Sequence, residues 1–148
     1  MKGLQKLLLI STSFLMFGCT QSSIPIYQDE DFEVQVDRNY EEVKDYELTW
    51  ETMFDVNSAS YYVYFYSATC NHCSELKNYI VEKALARKDI YFVKGSNKDQ
   101  ITTEQINTKN AENPGDIWIL GYPSLIKISD KKCIKNLAGI NQIKAELK

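Results

Sequence analysis

The sequence predicts an α/β domain in which a mixed β-sheet is flanked by helices on both faces. Three observations lead there. Residues 61–66, Tyr-Tyr-Val-Tyr-Phe-Tyr, form an unbroken aromatic and β-branched run, the composition of a central strand covered on both sides. Residues 70–86 follow at once with Leu76, Tyr79, Ile80 and Ala84 at helical spacing. Residues 124–128 and 133–138 read as two strands joined by the short polar connection Asp130-Lys131-Lys132.

The remaining elements fill the order β-α-β-α-β, then a possible helix, then β-β-α. A strand is expected over 43–48, followed by a short helix capped by Thr49 that carries Trp50, Met53 and Phe54 on one face and stops at Asn57 and Ser58. A buried strand is expected over 90–93. Residues 95–113 are polar and end in the turn signal Asn113-Pro114-Gly115, with an exposed helix possible over 103–110. Asn141 is expected to cap a last helix with Ile143 and Leu147 on its apolar side. A chain of 148 residues that is 44% hydrophobic can bury one such core and is too short for two ordinary domains.

The first residues are read separately. Lys2 and Lys6 precede an apolar run over 7–17 that is too short to span a bilayer comfortably, the pattern of an export signal. The run stops at Gly18-Cys19, and Leu15-Met16-Phe17-Gly18-Cys19 resembles the lipobox of bacterial lipoproteins. That resemblance implies a signal peptide over 1–18 and a diacylated Cys19 as the first residue of the mature protein. An uncleaved N-terminal anchor is the competing reading; both put the domain outside the cytosol. Residues 19–42 then read as an acidic, flexible tether, including Asp29-Glu30-Asp31, and the folded domain as 43–148. The period-two alternation Phe32-Glu33-Val34-Gln35-Val36 offers a short added strand as the alternative.

Charge narrows the partners. The chain has a net charge of -3, and removing 1–18 takes away two lysines and no acid, leaving 15 basic and 20 acidic residues, a net of -5. Nothing here forms the basic footprint of a nucleic-acid binder, and an acidic protein gains nothing from an anionic membrane surface. Membrane attachment therefore falls to the lipid, for which two acyl chains suffice.

The chemistry concentrates at Cys70-Asn71-His72-Cys73, between a buried strand and the start of a helix. At a helix N-terminus the unpaired backbone N–H groups and the positive end of the macrodipole stabilise a thiolate on Cys70. Cys73 lies one turn further on and deeper, so one thiol can attack and the other resolve. Zinc sites share the C-x-x-C spacing but need four ligands, and only His72 and the distant Cys133 remain as soft candidates. No metal is expected. A second signal, Gly121-Tyr122-Pro123-Ser124, stands directly before an apolar strand, where a proline's missing N–H is tolerated. A cis Tyr122–Pro123 bond and an ordinary trans loop proline both fit.

Together, residues 61–73 and Gly121-Tyr122-Pro123-Ser124-Leu125-Ile126 resemble, respectively, the strand-to-active-site segment and the cis-proline strand of the thioredoxin superfamily. The resemblance implies a thioredoxin-like fold over 43–147, with Cys70 the exposed nucleophile, Cys73 the buried resolving thiol and Pro123 a cis-proline beside them. It implies that the backbone of Tyr122 pairs with an extended substrate peptide, and that no bound cofactor is needed. Many thioredoxins carry a buried acid six residues before the nucleophile; here that place holds Tyr64, whose phenol is a poor proton relay at neutral pH. His72, the chain's one histidine, precedes the second cysteine, as in the periplasmic disulfide oxidase, and can favour the dithiol state by stabilising the Cys70 thiolate. Cys133 is left unpaired and reads as a small buried hydrophobe.

The expected function is therefore that of an extracytoplasmic thiol-disulfide oxidoreductase acting on cysteine-containing exported proteins or peptides in the oxidising direction, with a membrane redox partner to recharge it. Its expected place is the outer face of a bacterial cytoplasmic membrane, or the periplasm of a Gram-negative host. Two readings stand beside this one: a disulfide reductase recharged from the membrane, and a non-catalytic module serving peptide or bacteriocin export.

Overall fold

The computed structural model describes residues 36–103 and 108–148. The signal segment, Cys19, residues 20–35 of the tether and the centre of the possible 103–110 helix lie outside the described residues.

Five strands form one sheet: β1 (Glu47–Leu48), β2 (Ser60–Tyr66), β3 (Ile90–Lys94), β4 (Ser124–Ser129) and β5 (Lys132–Ala138). Their order is β1-β3-β2-β4-β5. β1 and β2 run parallel to β3, while β4 runs antiparallel to both β2 and β5. β2 sits in the middle because its side chains suit both faces. Tyr62, Tyr64 and Tyr66 face one apolar cluster and Tyr61, Val63 and Phe65 the other.

The two layers over the sheet differ in kind. On one face α1 (Asn71–Arg87) buries Leu76, Ile80, Val81 and Ala84, and α2 (Ile140–Glu146) with its C-cap buries Ile143 and Leu147, against the even-numbered tyrosines of β2, Phe92 and Leu125. α1 ends where Lys88 enters the left-handed region at φ 60° and donates its N–H to the Ala84 carbonyl at 2.8 Å. The opposite face is closed by Trp50, Met53 and Phe54 and by Ile117 and Ile119, which pack on Val63, Phe65 and Ile126. Among the described residues the regular helical structure there is one 3-10 turn, Pro114–Asp116.

Several local expectations are corrected. Residues 43–48 are not one strand: Tyr40–Tyr46 coil into a 3-10 helix and only Glu47–Leu48 pair with β3. The cause lies just upstream, in residues read as the end of the tether. Asn39 Oδ1 accepts from the Glu41 N–H at 2.6 Å, and the Glu42 carboxylate accepts from the Asn39 N–H at 2.8 Å, a reciprocal cap. Residues 37–42 also grip α1, through Lys77 Nζ to Asp37 at 3.1 Å and the Arg38 N–H to Asn78 Oδ1 at 3.0 Å.

Thr49 caps no helix. Residues 49–55 form successive turns in which Thr52 N–H reaches the Thr49 carbonyl and Asp55 N–H that of Thr52. Gly139, not Asn141, is the N-cap of α2. Its φ of 82° is open to glycine, which lets β5 turn into the helix without the strain a side chain would bring. The β4–β5 connection is tighter than expected, with Ser129 paired to Lys132 around Asp130 and Lys131 alone, both at positive φ. Lys131 is held there by Nζ, which donates to the carbonyls of Phe54 and Val56 at 2.8 and 2.7 Å.

Candidate active site

β2 delivers the chain to the site. Its last residue, Tyr66, is followed by a turn in which the Cys70 N–H donates to the Ser67 carbonyl at 3.2 Å. Cys70 is the N-cap of α1 with extended backbone, and its Sγ accepts the Cys73 N–H at 3.1 Å. A sulfur in that position is bonded to one of the otherwise orphaned donors of the first helical turn. The same donor, with the helix dipole, would stabilise a Cys70 thiolate after reduction.

Cys70 and Cys73 are joined by a disulfide, with Cα atoms 5.2 Å apart. Their environments are unequal. Cys70 is partly exposed, whereas Cys73 is 1% exposed and packed in the helix-side core. An incoming thiolate can thus reach Cys70 and not Cys73.

β4 brings the second motif to the same place. The Tyr122–Pro123 bond is cis. The Tyr122 carbonyl oxygen lies 3.4 Å from Cys70 Sγ. The loop before β4 is held by Ser124 Oγ, which donates to the Gly121 carbonyl at 2.6 Å, and by the Gly139 N–H, which donates to the Pro123 carbonyl at 2.9 Å. Cys70, Cys73 and the Tyr122–Pro123 turn are therefore brought together at one end of the sheet.

His72 stands at the rim. It is exposed, and its Nδ1 lies 3.7 Å from the Glu75 carboxylate, a solvent-screened pairing. It borders a shallow groove shared with Glu75, Ala138, Gly139 and Ile140.

Tyr64 is fully buried and its hydroxyl has no hydrogen-bond partner. Burial, and secondarily the neighbouring Tyr40, push its pKa well above the ordinary phenol range. The Tyr40 hydroxyl is close enough to influence that ionisation, yet no well-formed hydrogen bond joins the two. Tyr64 thus fills the core and is no base at neutral pH. Cys133 is fully buried, and burial pushes its thiol up to about 11. Among the described residues no group of three His, Cys, Asp or Glu side chains could hold a metal ion.

Two participants escaped the sequence reading. Tyr40 donates its hydroxyl to the Cys73 carbonyl at 3.2 Å and stacks on Tyr66 with ring centroids 4.0 Å apart. It lies in an acidic stretch with no apolar periodicity to mark it. Asp99 accepts a short hydrogen bond from the Tyr122 hydroxyl. It sits in the polar segment 95–113, and a bond across 23 residues leaves no local trace.

No family model matches the chain, and no curated protein matches it. Solved structures similar to it include thioredoxin f2 of Chlamydomonas reinhardtii, 17% identical, which covers 68% of this chain and 91% of its own with a TM-score of 0.44. Mitochondrial thioredoxin 3 of Saccharomyces cerevisiae is 16% identical, with 68% and 88% covered and a TM-score of 0.44. A Plasmodium falciparum thioredoxin is 14% identical, with 68% and 91% covered and a TM-score of 0.45. The order of this chain's own strands, the C-x-x-C pair closed at the start of α1 and the cis Tyr122–Pro123 bond at the start of β4 make its fold thioredoxin-like.

Proposed function

We propose that this protein is an extracytoplasmic thiol-disulfide oxidoreductase that passes the Cys70–Cys73 disulfide to cysteines of exported proteins. The observation that carries the reading is the asymmetry of the pair: Cys70 is reachable and capped by the Cys73 N–H, and Cys73 is buried.

The exchange balances as follows. A substrate thiolate attacks Cys70 Sγ, the Cys70–Cys73 bond breaks, and Cys73 leaves with the electron pair and takes up a proton. A second substrate thiolate then attacks the substrate sulfur of the mixed disulfide and expels Cys70 as a thiolate. The substrate gains a disulfide, and the pair is left reduced by two electrons. Expulsion is eased because the departing Cys70 thiolate meets the helix N-terminus. A membrane redox partner would accept the two electrons.

His72 next to Cys73, and the absence of a buried acid at Tyr64, support the oxidising direction over the reductase alternative. The export signal and Cys19 motif in the sequence support attachment by lipid outside the cytosol. Incubation of the oxidised domain with a reduced two-cysteine peptide tests the activity. The peptide should become oxidised as one equivalent of Cys70–Cys73 is reduced, and a pair that stays oxidised refutes the proposal. Labelling with radioactive palmitate, lost on Cys19→Ala, tests the anchor; unchanged labelling refutes it.

A further inference from the structure

Cys70 Sγ lies between two backbone groups of opposite polarity. It accepts the Cys73 N–H at 3.1 Å, and the Tyr122 carbonyl oxygen approaches it to 3.4 Å. In the reduced pair these groups act in opposite senses. An N–H aimed at the sulfur favours the thiolate. A carbonyl oxygen accepts from the thiol S–H and turns the negative end of its dipole toward a thiolate, so it favours the thiol. The acidity of Cys70 therefore depends on how firmly that carbonyl is held.

Tyr122 is held through its side chain, by the loop after β3. Its hydroxyl donates to Asp99 Oδ2, and the other Asp99 oxygen accepts from Ser96 Oγ at 2.7 Å. Ser96 Oγ in turn accepts the Lys98 N–H at 3.2 Å, so the acceptor is itself held. Gly95 leaves room for the ring: a Cβ there would meet Tyr122 Cζ and Oη at 2.7 Å. The Gly95 N–H donates to the Tyr66 carbonyl at 2.6 Å, which fastens this loop to the end of the strand that leads to Cys70.

We infer that Asp99 is a positioning residue which, through the Tyr122 hydroxyl, keeps the Tyr122 carbonyl against Cys70 and so restrains the acidity of that thiol. The inference rests on the function proposed above, in which Cys70 is the reacting sulfur. A weaker hold on the carbonyl would leave more thiolate, stabilise the dithiol and make the disulfide a stronger oxidant. The titratable groups on the elements around Cys70 are His72 and Glu75, exposed on α1, the joined pair Asp99 and Tyr122, and Lys98, which pairs with Glu51 at 3.7 Å. The negative charge of Asp99 would by itself also disfavour a thiolate, so the test has to separate charge from position.

The measurement is the rate of iodoacetamide alkylation of Cys70 in the reduced, folded protein as a function of pH, read by mass spectrometry; the midpoint of the profile gives the pKa of the thiol. Asp99→Ala and Tyr122→Phe should each lower that midpoint, raising the ionisation constant about threefold, the size of one weak hydrogen bond to the thiol. Asp99→Asn removes the charge and keeps an oxygen that accepts from the Tyr122 hydroxyl, so its midpoint should stay close to that of the wild type. An unchanged or higher midpoint in Asp99→Ala or in Tyr122→Phe overturns the inference. So does an Asp99→Asn profile that matches Asp99→Ala, since charge alone is then the cause. The oxidoreductase reading stands in each of these cases, because oxidation of the two-cysteine peptide tests it separately. A wild-type Cys70 that stays unmodified at every pH overturns both.

Discussion

The hydroxyl of Tyr40 donates to the backbone carbonyl of Cys73, 33 residues away, at 3.2 Å, and its ring lies flat against Tyr66 at 4.0 Å. The 3-10 helix Tyr40–Tyr46 thus touches both the buried cysteine's turn of α1 and the end of the strand that supplies Cys70. Tyr40→Phe keeps the stack and loses the bond, and should cost about 1 kcal/mol of unfolding free energy. Tyr40→Ala loses both and should cost about 2 to 3 kcal/mol. Urea denaturation of the oxidised domain checks both values, and equal costs would mean that the ring contributes nothing.

Alkali should weaken the fold in a defined window. The Cys133 thiol, ordinarily near 9.0, is pushed up to about 11 by burial, and the Tyr61 phenol, ordinarily near 10.0, up to about 12, first by burial and then by Asp55. Both groups are neutral when protonated, so the folded state holds its proton to a higher pH than the unfolded state does. Stability is therefore complete below about pH 8 and falls as the unfolded chain's thiol and phenol ionise. Each such group contributes a slope of about 1.4 kcal/mol per pH unit between its two pKa values. Urea midpoints at pH 7.5, 9 and 10 should fall in that order, and Cys133→Ala should flatten chiefly the fall between pH 9 and 10.

Reactivity should divide the thiols by burial. In the reduced, folded protein Cys70 should alkylate with iodoacetamide at pH 7, while Cys133, fully buried, stays unmodified until denaturant is added. In Cys73→Ser the Cys70 thiolate should attack a substrate disulfide, displace one half as a thiolate and stay trapped as a mixed disulfide with the other half, because the resolving sulfur is gone. Mass spectrometry of the labelled and trapped species reads both outcomes.

His72 carries a separate prediction. If its imidazole favours the dithiol state, His72→Leu makes the pair less oxidising, and a shift of about 30 mV corresponds to a tenfold change in the exchange equilibrium. The 3.7 Å pairing of its Nδ1 with Glu75 is exposed and screened by solvent. An unchanged potential would make His72 a solvated bystander.

The legible parts of this protein are those whose side chains announce their surroundings. β2 was readable because an unbroken run of tyrosine, valine and phenylalanine has nowhere to go but between two layers, and α1 because Leu76, Ile80 and Ala84 repeat at helical spacing. The pair Cys70 and Cys73 needed only its position between those two elements. What escaped depends on contacts the chain makes far from itself. The 3-10 helix at Tyr40–Tyr46 looked like tether and strand because its cap lies in polar residues and its anchor is α1. The turns at 49–55 took the place of a helix because Trp50 is held from outside, its Nε1 donating to the Pro114 carbonyl at 3.2 Å. The bond from Tyr122 to Asp99 joins two loops that no local pattern links.

The reduction potential of the Cys70–Cys73 pair, measured in the soluble domain by equilibration against glutathione buffers, tests the central claim most directly. The account predicts a value toward about -120 mV, the range of strong disulfide donors, with the Cys70 thiolate stabilised at the start of α1. A value at or below about -270 mV, that of thioredoxin, would contradict it and identify the pair as a reductant.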